Sequence, residues 1–200
     1  MTQHPPVRRY RNWPVLRAAS GDVTLDCVQD ADIEPIRQWR NAQMDVLRQD
    51  RPISHGEQVA YFAHNVWPDM EAAHPRQILL AFRRGCELLG YGGLVHIAWP
   101  HQRAEISILM RPDIAGDRAA YDPLLGAFLS LIRDVGFNQI SLHRLYLETY
   151  AIRAAHIAVL EASGFRLEGR LRDHVRIDGA PVDSLIHACL AHDWIKPAAG

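Results

Sequence analysis

The segment spanning residues 160–190 constrains the fold of this 200-residue chain more than any other. It begins with the end of a helix and a Gly164-Phe165 break, and then alternates polar and apolar residues over 170–177, as a strand with one solvated face does. Asp178-Gly179 predicts a two-residue type I′ turn, because both central positions of that turn require positive φ. A second period-two run covers 182–190. The chain is therefore predicted to end in a helix followed by a long hairpin.

The composition predicts one domain with a substantial core and no bulk-charge function. Hydrophobic residues make up 48% of the chain and the formal net charge is −1, which argues against a nucleic-acid binder that relies on charge. The chain contains no apolar run long enough for a membrane span, and its basic N-terminus lacks the apolar core of a signal peptide. Three widely spaced cysteines favour a cytoplasmic location over a disulfide framework, and the eleven histidines lack metal-ligand spacing, so no metal is expected.

Helix and strand patterns are mixed along residues 21–195, which are predicted to form one α/β (α+β) domain. Residues 1–20 have no clear period and are predicted to be an extension, partly ordered through Trp13 and Leu16, and 196–200 a short tail. Other local signals are the Ser54–Glu57 capping box, a loop over 68–75, and Asp122-Pro123 as a helix start. Strand patterns cover 22–28, 77–82, 87–97, 103–110 and 145–149, and helix patterns begin near Asp32, Ser54, Asp122 and Arg153.

Several short motifs follow one another along the chain. Trp39-Arg40-Asn41 follows the first helix, the block 90–97 contains Gly90-Tyr91-Gly92-Gly93, and Val159-Leu160-Glu161 precedes Gly164-Phe165. In this order the motifs resemble those of the GCN5-related N-acetyltransferases (GNAT). The resemblance covers residues 22–194 and is nearest to the branch of ribosomal-protein and sugar-nucleotide N-acetyltransferases. It implies a mixed central sheet splayed in the middle, with helices on both faces.

The resemblance also implies a function. It favours acetyl-CoA-dependent N-acetylation of an amino-sugar nucleotide in surface-glycan biosynthesis. Two alternatives stay open: acetylation of a protein N-terminus, and a non-catalytic protein of the same fold that binds acyl-CoA or a partner. The implied partners are acetyl-CoA and an amine acceptor, with a homodimer as a further alternative; neither nucleic acid nor membrane insertion is implied.

The implied acetyl-CoA site lies between strands 103–110 and 145–149. The backbone of Ile108, Leu109 and Met110 would pair with pantetheine. The phosphate loop departs from the family's Gly-x-Gly, since only Gly116 and Arg118 match and Asp122 would repel a pyrophosphate.

The start of the last helix carries an arginine where the family has an asparagine. Because the helix dipole disfavours a cation there, Arg153 is predicted either to contact a phosphate of CoA or the acceptor, or to pair with Glu148.

Acetyl transfer to an amine requires removal of a proton from that amine, and Glu105 is the candidate base. Its alternative is a solvated strand-edge carboxylate, and His96 on the neighbouring strand is a rival base. His156, one turn beyond Arg153, is a candidate proton donor or acceptor, with a structural histidine as the alternative. The family's tyrosine acid would fall near Leu160 and is absent, and Tyr150 is a weaker substitute.

Acceptor binding is assigned to two regions. The outward face of the hairpin could capture a diphosphate, or it could be an ordinary solvated face. Three aromatic residues, Trp39, Tyr91 and Trp99, could stack on a base or sugar. The predicted acceptor residues are Trp39, Arg40, Asn41, Tyr91, His96 and Arg172, and the hairpin face carries Arg170, Arg172, His174 and Arg176.

Overall fold

A computed structural model describes residues 7–47 and 49–194. Within them the chain forms eight strands and six α-helices. The strands are β1 Arg17–Ser20, β2 Val23–Cys27, β3 Ile78–Arg84, β4 Glu87–Ala98, β5 Arg103–Met110, β6 Arg144–Tyr150, β7 Arg166–Ile177 and β8 Ala180–Leu190. The helices are α1 Ile33–Ala42, α2 His55–Tyr61, α3 Trp67–Glu71, α4 Pro112–Gly116, α5 Arg118–Arg133 and α6 Ala154–Ala162.

The strands form one mixed sheet in the order β1-β2-β3-β4-β5-β6-β8-β7. Every neighbouring pair is antiparallel except β5 and β6, which run parallel. These two central strands pair only at Arg103–Arg144, Ala104–Leu145 and Glu105–Tyr146, and then diverge. The structure therefore confirms the predicted splay in the middle of the sheet.

Helices cover both faces of the sheet, as predicted. The Phe82 ring on β3 meets Phe128 of α5 edge-on, with centroids 5.8 Å apart. Leu79 lies three residues earlier and so points to the opposite face, where it lines a recess with Phe62. Among the described residues, no helix has both the length and the apolar character needed to cross a bilayer.

Residues before position 21 contribute to the sheet. Strand β1, which the sequence patterns did not predict, pairs with β2. Tyr10 is 1% exposed and its hydroxyl accepts a hydrogen bond of 2.6 Å from the Leu79 amide. Leu16 is also buried, and Trp13 stacks on Trp99. The segment predicted as an extension thus packs against the domain from Tyr10 onward.

Two predicted turn signals form as expected. Asp178 and Gly179 have φ of 50° and 79°, as a type I′ turn requires, and they join β7 to β8. The Ser54 hydroxyl accepts from the Glu57 amide, and the Glu57 carboxylate accepts from the Ser54 amide. This capping box starts α2.

The predicted start of α5 is wrong by about one turn. The helix begins at Arg118, and the Asp117 side chain caps it by accepting a 3.0 Å hydrogen bond from the Ala119 amide. Pro123 lies inside the helix rather than in its first turn. The helix still forms because its buried apolar face packs on the sheet, and this packing outweighs the one hydrogen bond that proline cannot make.

The loop predicted over 68–75 also starts too early. Helix α2 continues through a π-helical turn, Phe62–Val66, into α3, which contains Pro68 near its start. The wider turn lets the chain pass a residue that has no N–H to donate. The helix therefore reaches Glu71, and its π turn lies beside the cleft described below.

Strand β4 has an unusual backbone next to β5. Gly93 has φ of 145°, which L side chains rarely adopt. His96 has φ of 49° and sits where the β4–β5 register shifts between Val95 and Ala98. A non-glycine residue in this conformation marks a β-bulge that redirects its side chain.

Candidate active site

The divergence of β5 and β6 opens a cleft of about 550 Å³ through the centre of the sheet. One side is closed by α1 and the α2–α3 helix, and the other by the start of α6. Both acidic and basic side chains reach the cleft. Its lining includes Arg40, Tyr61, Asn65, Asp69, Arg76, Gln77, His96, Glu105, Ser107, Ile108, Glu148, Tyr150, Arg153 and His156.

The edge of β5 offers backbone hydrogen-bonding groups to this gap. The Arg111 amide donates to the Leu89 carbonyl on β4, so in an alternating strand the backbone of Leu109 also faces β4. The intervening residues face the gap, and the Met110 carbonyl already accepts a 2.9 Å bond from Gln43 Nε2. Ile106 and Ile108 therefore supply the gap-facing groups, whereas the predicted role of Leu109 does not fit its orientation.

Glu105 and His96, predicted as rival bases, lie in direct contact. His96 Nδ1 is 2.8 Å from Glu105 Oε2 at one end of the cleft. The Glu105 side chain is 15% exposed and that of His96 is 65% exposed. The bulge in β4 brings the imidazole to the carboxylate, which gives a protected group that can take a proton and an exposed group that can pass it to solvent.

A partly buried chain of polar groups lies on the opposite side of the cleft. Arg153 Nη2 donates to the Tyr121 hydroxyl over 3.2 Å, and that hydroxyl lies 2.7 Å from His156 Nδ1. Since the Tyr121 oxygen accepts a hydrogen bond from Arg153, the Tyr121 hydroxyl can donate its proton to His156 Nδ1. The neutral imidazole then carries its own proton on Nε2. Burial, with help from the charge of Arg153, lowers the His156 pKa to about 3, so the ring is neutral near pH 7.

Arg153 lies at the cleft and is not paired with Glu148. The residue precedes α6 as its N-cap rather than lying in its first turn, with φ of −91° and ψ of 55°. No ion pair forms between Arg153 and Glu148, whose carboxylate instead lies 3.1 Å from His174 Nδ1. Arg153 lines the cleft and retains a guanidinium that can face an anion.

His156 makes the stability of the protein depend on pH. Its pKa is about 3 in the folded chain and about 6.5 when unfolded, so the unfolded state binds more protons between these values. The free energy of unfolding should therefore fall as pH decreases below 6.5, by up to about 1.4 kcal/mol per pH unit. Melting curves between pH 7 and 5 should be flatter for His156→Asn, while His101→Asn, an exposed control, should follow the wild type. Identical pH slopes for wild type and His156→Asn would show that this site does not titrate on unfolding.

Arg40 stands where the main cleft meets a smaller recess. Its Nη1 donates a 2.9 Å hydrogen bond to the hydroxyl of Tyr91, a buried residue of β4. Within 7–47 and 49–194, no carboxylate comes within 4 Å of the Arg40 guanidinium. Tyr91 therefore acts as a support for Arg40 and lines the recess rather than the cleft.

Several predicted binding residues lie outside the cleft. Trp39 packs against the core. The Asn41 side-chain amide donates a hydrogen bond to the Ile53 carbonyl and accepts one from the Ile53 N–H. Trp99 stacks on Trp13 and donates to the Pro75 carbonyl. These three residues hold the fold around the site.

The hairpin face also lies apart from the cleft. Arg172 is exposed on β7 and does not line the cleft, while Arg170 is paired with Asp183 at 2.6 Å. His174 is the exception, since it contacts the cleft residue Glu148. The hairpin arginines therefore do not converge on one anion.

The phosphate loop differs from the expected form. The N-terminus of α5 is already capped by Asp117, a carboxylate that occupies part of the place of an anion. Gly116 ends α4, and Arg118 is 71% exposed and pairs with Asp122 at 3.1 Å. Asp122 lies within the helix, four residues after Arg118, and the ion pair between them balances its charge.

Tyr121 was missed by sequence reasoning. Placing the helix start at Asp122 left Tyr121 in a loop, whereas α5 places it in the first turns, facing α6. The usable signal was Asp117, a residue type that favours the N-cap position and precedes a run of helix formers.

The fold and the cleft agree with a match to a known family. A family described as "Acetyltransferase (GNAT) domain" matches residues 25–186 of the chain. The chain belongs to the GNAT acetyltransferases. It is thus an acetyl-CoA-dependent N-acetyltransferase, and the resemblance to the GNAT superfamily inferred from its motifs is confirmed.

Solved structures resemble this acetyltransferase in fold. Spermidine N-acetyltransferase from Vibrio cholerae, in complex with CoA and spermine, has a TM-score of 0.76 and 19% sequence identity, and the match covers 86% of this chain and 97% of that one. A dodecameric form of spermidine N-acetyltransferase from Vibrio cholerae has a TM-score of 0.71 at 20% identity, covering 89% and 99%. No curated protein matches the chain. At these identities the structures establish the fold.

The described part of the acetyltransferase contains no group of three or more histidine, cysteine, aspartate or glutamate residues placed to hold a metal ion. Its co-substrate is acetyl-CoA, for which the open β5 edge between Ile106 and Ile108 is a suitable partner.

Proposed function

We propose that this acetyltransferase acetylates a primary amine whose molecule also carries an anionic group, as an amino-sugar nucleotide does. The observation that carries the proposal is Arg40, a positioned guanidinium in the cleft with no carboxylate partner among the described residues. A partly buried cation that lines a cleft is stabilised by a counter-charge, and here the acceptor would bring it. An acceptor with only positive charges would leave Arg40 uncompensated.

Glu105 and His96 would remove the proton of the acceptor ammonium. The carboxylate accepts the proton, and the adjacent exposed imidazole passes it to solvent. The neutral nitrogen then attacks the thioester carbonyl, forming the C–N bond as the C–S bond breaks. The nitrogen releases a second proton in forming the amide, which balances the proton that the leaving thiolate takes up.

His156 would protonate that thiolate. Its Nε2 gives up a proton while Nδ1 receives one from the Tyr121 hydroxyl 2.7 Å away, and Arg153 stabilises the transient phenolate. The second proton released by the nitrogen then restores the Tyr121 hydroxyl. A neutral imidazole that receives a proton as it gives one avoids a buried positive charge. The His156→Asn variant used for the pH measurement tests this role, since kcat should fall while the KM for acetyl-CoA changes little. An unchanged kcat would leave Tyr150, which also lines the cleft, as the next candidate.

The acceptor class can be tested with three amines. An amino-sugar nucleotide, a peptide with a free N-terminus and spermidine should rank in that order of kcat/KM. Arg40→Gln should raise the KM for the anionic acceptor about 10- to 100-fold, as expected for a lost charged hydrogen bond. Arg84→Gln at the end of β3, which breaks an exposed ion pair between Arg84 and Asp22, is the matched control. Preference for spermidine in the wild type, with no effect of Arg40→Gln, would reject the anionic acceptor.

Polyamine acetylation is the second candidate. Two observations favour it: the structural neighbours are spermidine N-acetyltransferases, and Asp69, Glu105 and Glu148 bring three carboxylates to the cleft. Asp69, however, pairs with Arg76, and its Oδ1 is 3.3 Å from Arg76 Nε. The carboxylates are thus matched in number by Arg40, Arg76 and Arg153, whereas a polycation is best recognised by an excess of negative charge.

The phosphates of CoA would lie near Gly116 and Arg118. The backbone around Gly116 has open space beside it, and Arg118 is the exposed cation at that end of α5. We propose that Arg118 exchanges its contact with Asp122 for a phosphate, in place of the family's Gly-x-Gly loop. Arg118→Ala should then raise the KM for acetyl-CoA with little change in kcat, and unchanged kinetics would exclude this role.

A further inference from the structure

A recess of about 240 Å³ lies beside the main cleft, beneath α2. The two spaces share part of their walls, so a molecule in the cleft can extend into the recess. The shared residues are Arg40, Tyr61, Gln77, Val95 and Ser107. The acetyl-transfer chemistry at Glu105 does not use this space.

The walls of the recess are mostly apolar and fixed in place. Leu79 on β3, Tyr91 on β4 and Phe62 in the π turn after α2 are all buried. Ile53 adds a further apolar contact. Such walls cover the faces of a ring or a flat group well.

One wall residue is polar without a partner. Gln58 of α2 is only 3% exposed, yet it lines the recess. Its side-chain amide makes no hydrogen bond with any residue in 7–47 or 49–194, and its polar atoms keep some contact with the open space of the recess. Because the amide borders the recess, its donor and acceptor are available to whatever enters.

We propose that the recess binds a flat, uncharged group of the acceptor that presents adjacent N–H and C=O groups, such as a pyrimidine base. A glutamine amide offers one acceptor and one donor side by side, which is the complement of that edge. The apolar walls would cover the faces of the ring, and Arg40, at the shared wall, would hold an anionic group between the ring and the amine. This inference rests on the proposed anionic acceptor.

The test uses uridine 5′-monophosphate as probe, measured by calorimetry with the full-length protein. It should bind at least 10-fold more tightly than ribose 5-phosphate, which has the anion but no base. Gln58→Met keeps the volume and removes the amide, so it should abolish this difference while leaving the melting temperature equal or higher. Gln38→Met, on the exposed side of α1, is the control. Gln58→Leu serves as the second variant.

Three outcomes would overturn the inference. Equal affinity for the two probes, or full retention of the preference in Gln58→Met, would show that no base is recognised there. The third outcome concerns the ratio of butyryl-CoA turnover to acetyl-CoA turnover. A higher ratio in Gln58→Met than in the wild type, with neither probe binding, would assign the recess to an acyl chain. The acceptor ranking is measured separately, so that the two proposals can fail independently. If anionic amines are acetylated equally well by wild type and Gln58→Met, this inference alone is rejected. If uridine 5′-monophosphate binding depends on Gln58 but anionic amines are not acetylated, the proposed function alone is rejected.

Discussion

Glu105→Gln should lower kcat by about 10²- to 10⁴-fold, while the KM for acetyl-CoA changes little. The substitution keeps the shape of the side chain and its contact with His96, but a neutral amide cannot accept the proton of the ammonium. The lost rate should return as pH rises, because the acceptor amine loses its proton unaided as the pH approaches the pKa of that amine. Steady-state kinetics from pH 7 to 10 measure both effects.

His96→Gln provides the comparison, since Glu105 and His96 lie in contact and only one of them is largely protected from solvent. We expect a smaller loss in kcat for His96→Gln, because solvent can replace an exposed proton carrier. A large loss in His96→Gln together with a normal rate in Glu105→Gln would assign the base to the histidine.

Gly93→Ala should destabilise the protein by about 3 kcal/mol or more, lowering the melting temperature by about 6–12 °C. Gly93 has φ of 145°, and a Cβ there would collide with the Ile78 carbonyl oxygen of the adjacent strand. Backbone atoms of a paired strand cannot move aside as a flexible side chain can. The measurement is thermal unfolding followed by circular dichroism.

Gly126→Ala is the matched control for this substitution. Gly126 lies within α5, and a Cβ there meets no atom within 4 Å. Alanine should therefore stabilise the helix, by about 0.5–1 kcal/mol. If the two variants melt alike, the close approach of β3 and β4 at Gly93 does not contribute to stability.

Local sequence signals predicted those parts of the fold in which the backbone conformation accepts only a few residue types. Asp178-Gly179 specified its turn because positive φ is tolerated by few residues, and Ser54–Glu57 specified a helix start through two reciprocal hydrogen bonds. The splay between β5 and β6 came from the motif resemblance, since no alternation pattern distinguishes a paired strand from a parted one.

The candidate site was predicted less completely, because it depends on contacts between distant residues. Glu105 and His96 were treated as rivals, although the β4 bulge brings them together. Tyr121 and His156 are 35 positions apart and meet only through the packing of α5 on α6. Trp39 and Asn41 matched a family motif, yet their side chains hold the surrounding structure.

The parting of β5 and β6 gives the sheet its weakest cohesion at its centre. After Glu105 and Tyr146 the strands no longer pair, so the Ile106 and Ile108 amides lack a partner on β6. Hydrogen–deuterium exchange at these amides should be fast in the free protein and slow once pantetheine lies in the gap. The co-substrate would then act as the missing strand, and resistance to unfolding would rise and fall with its concentration.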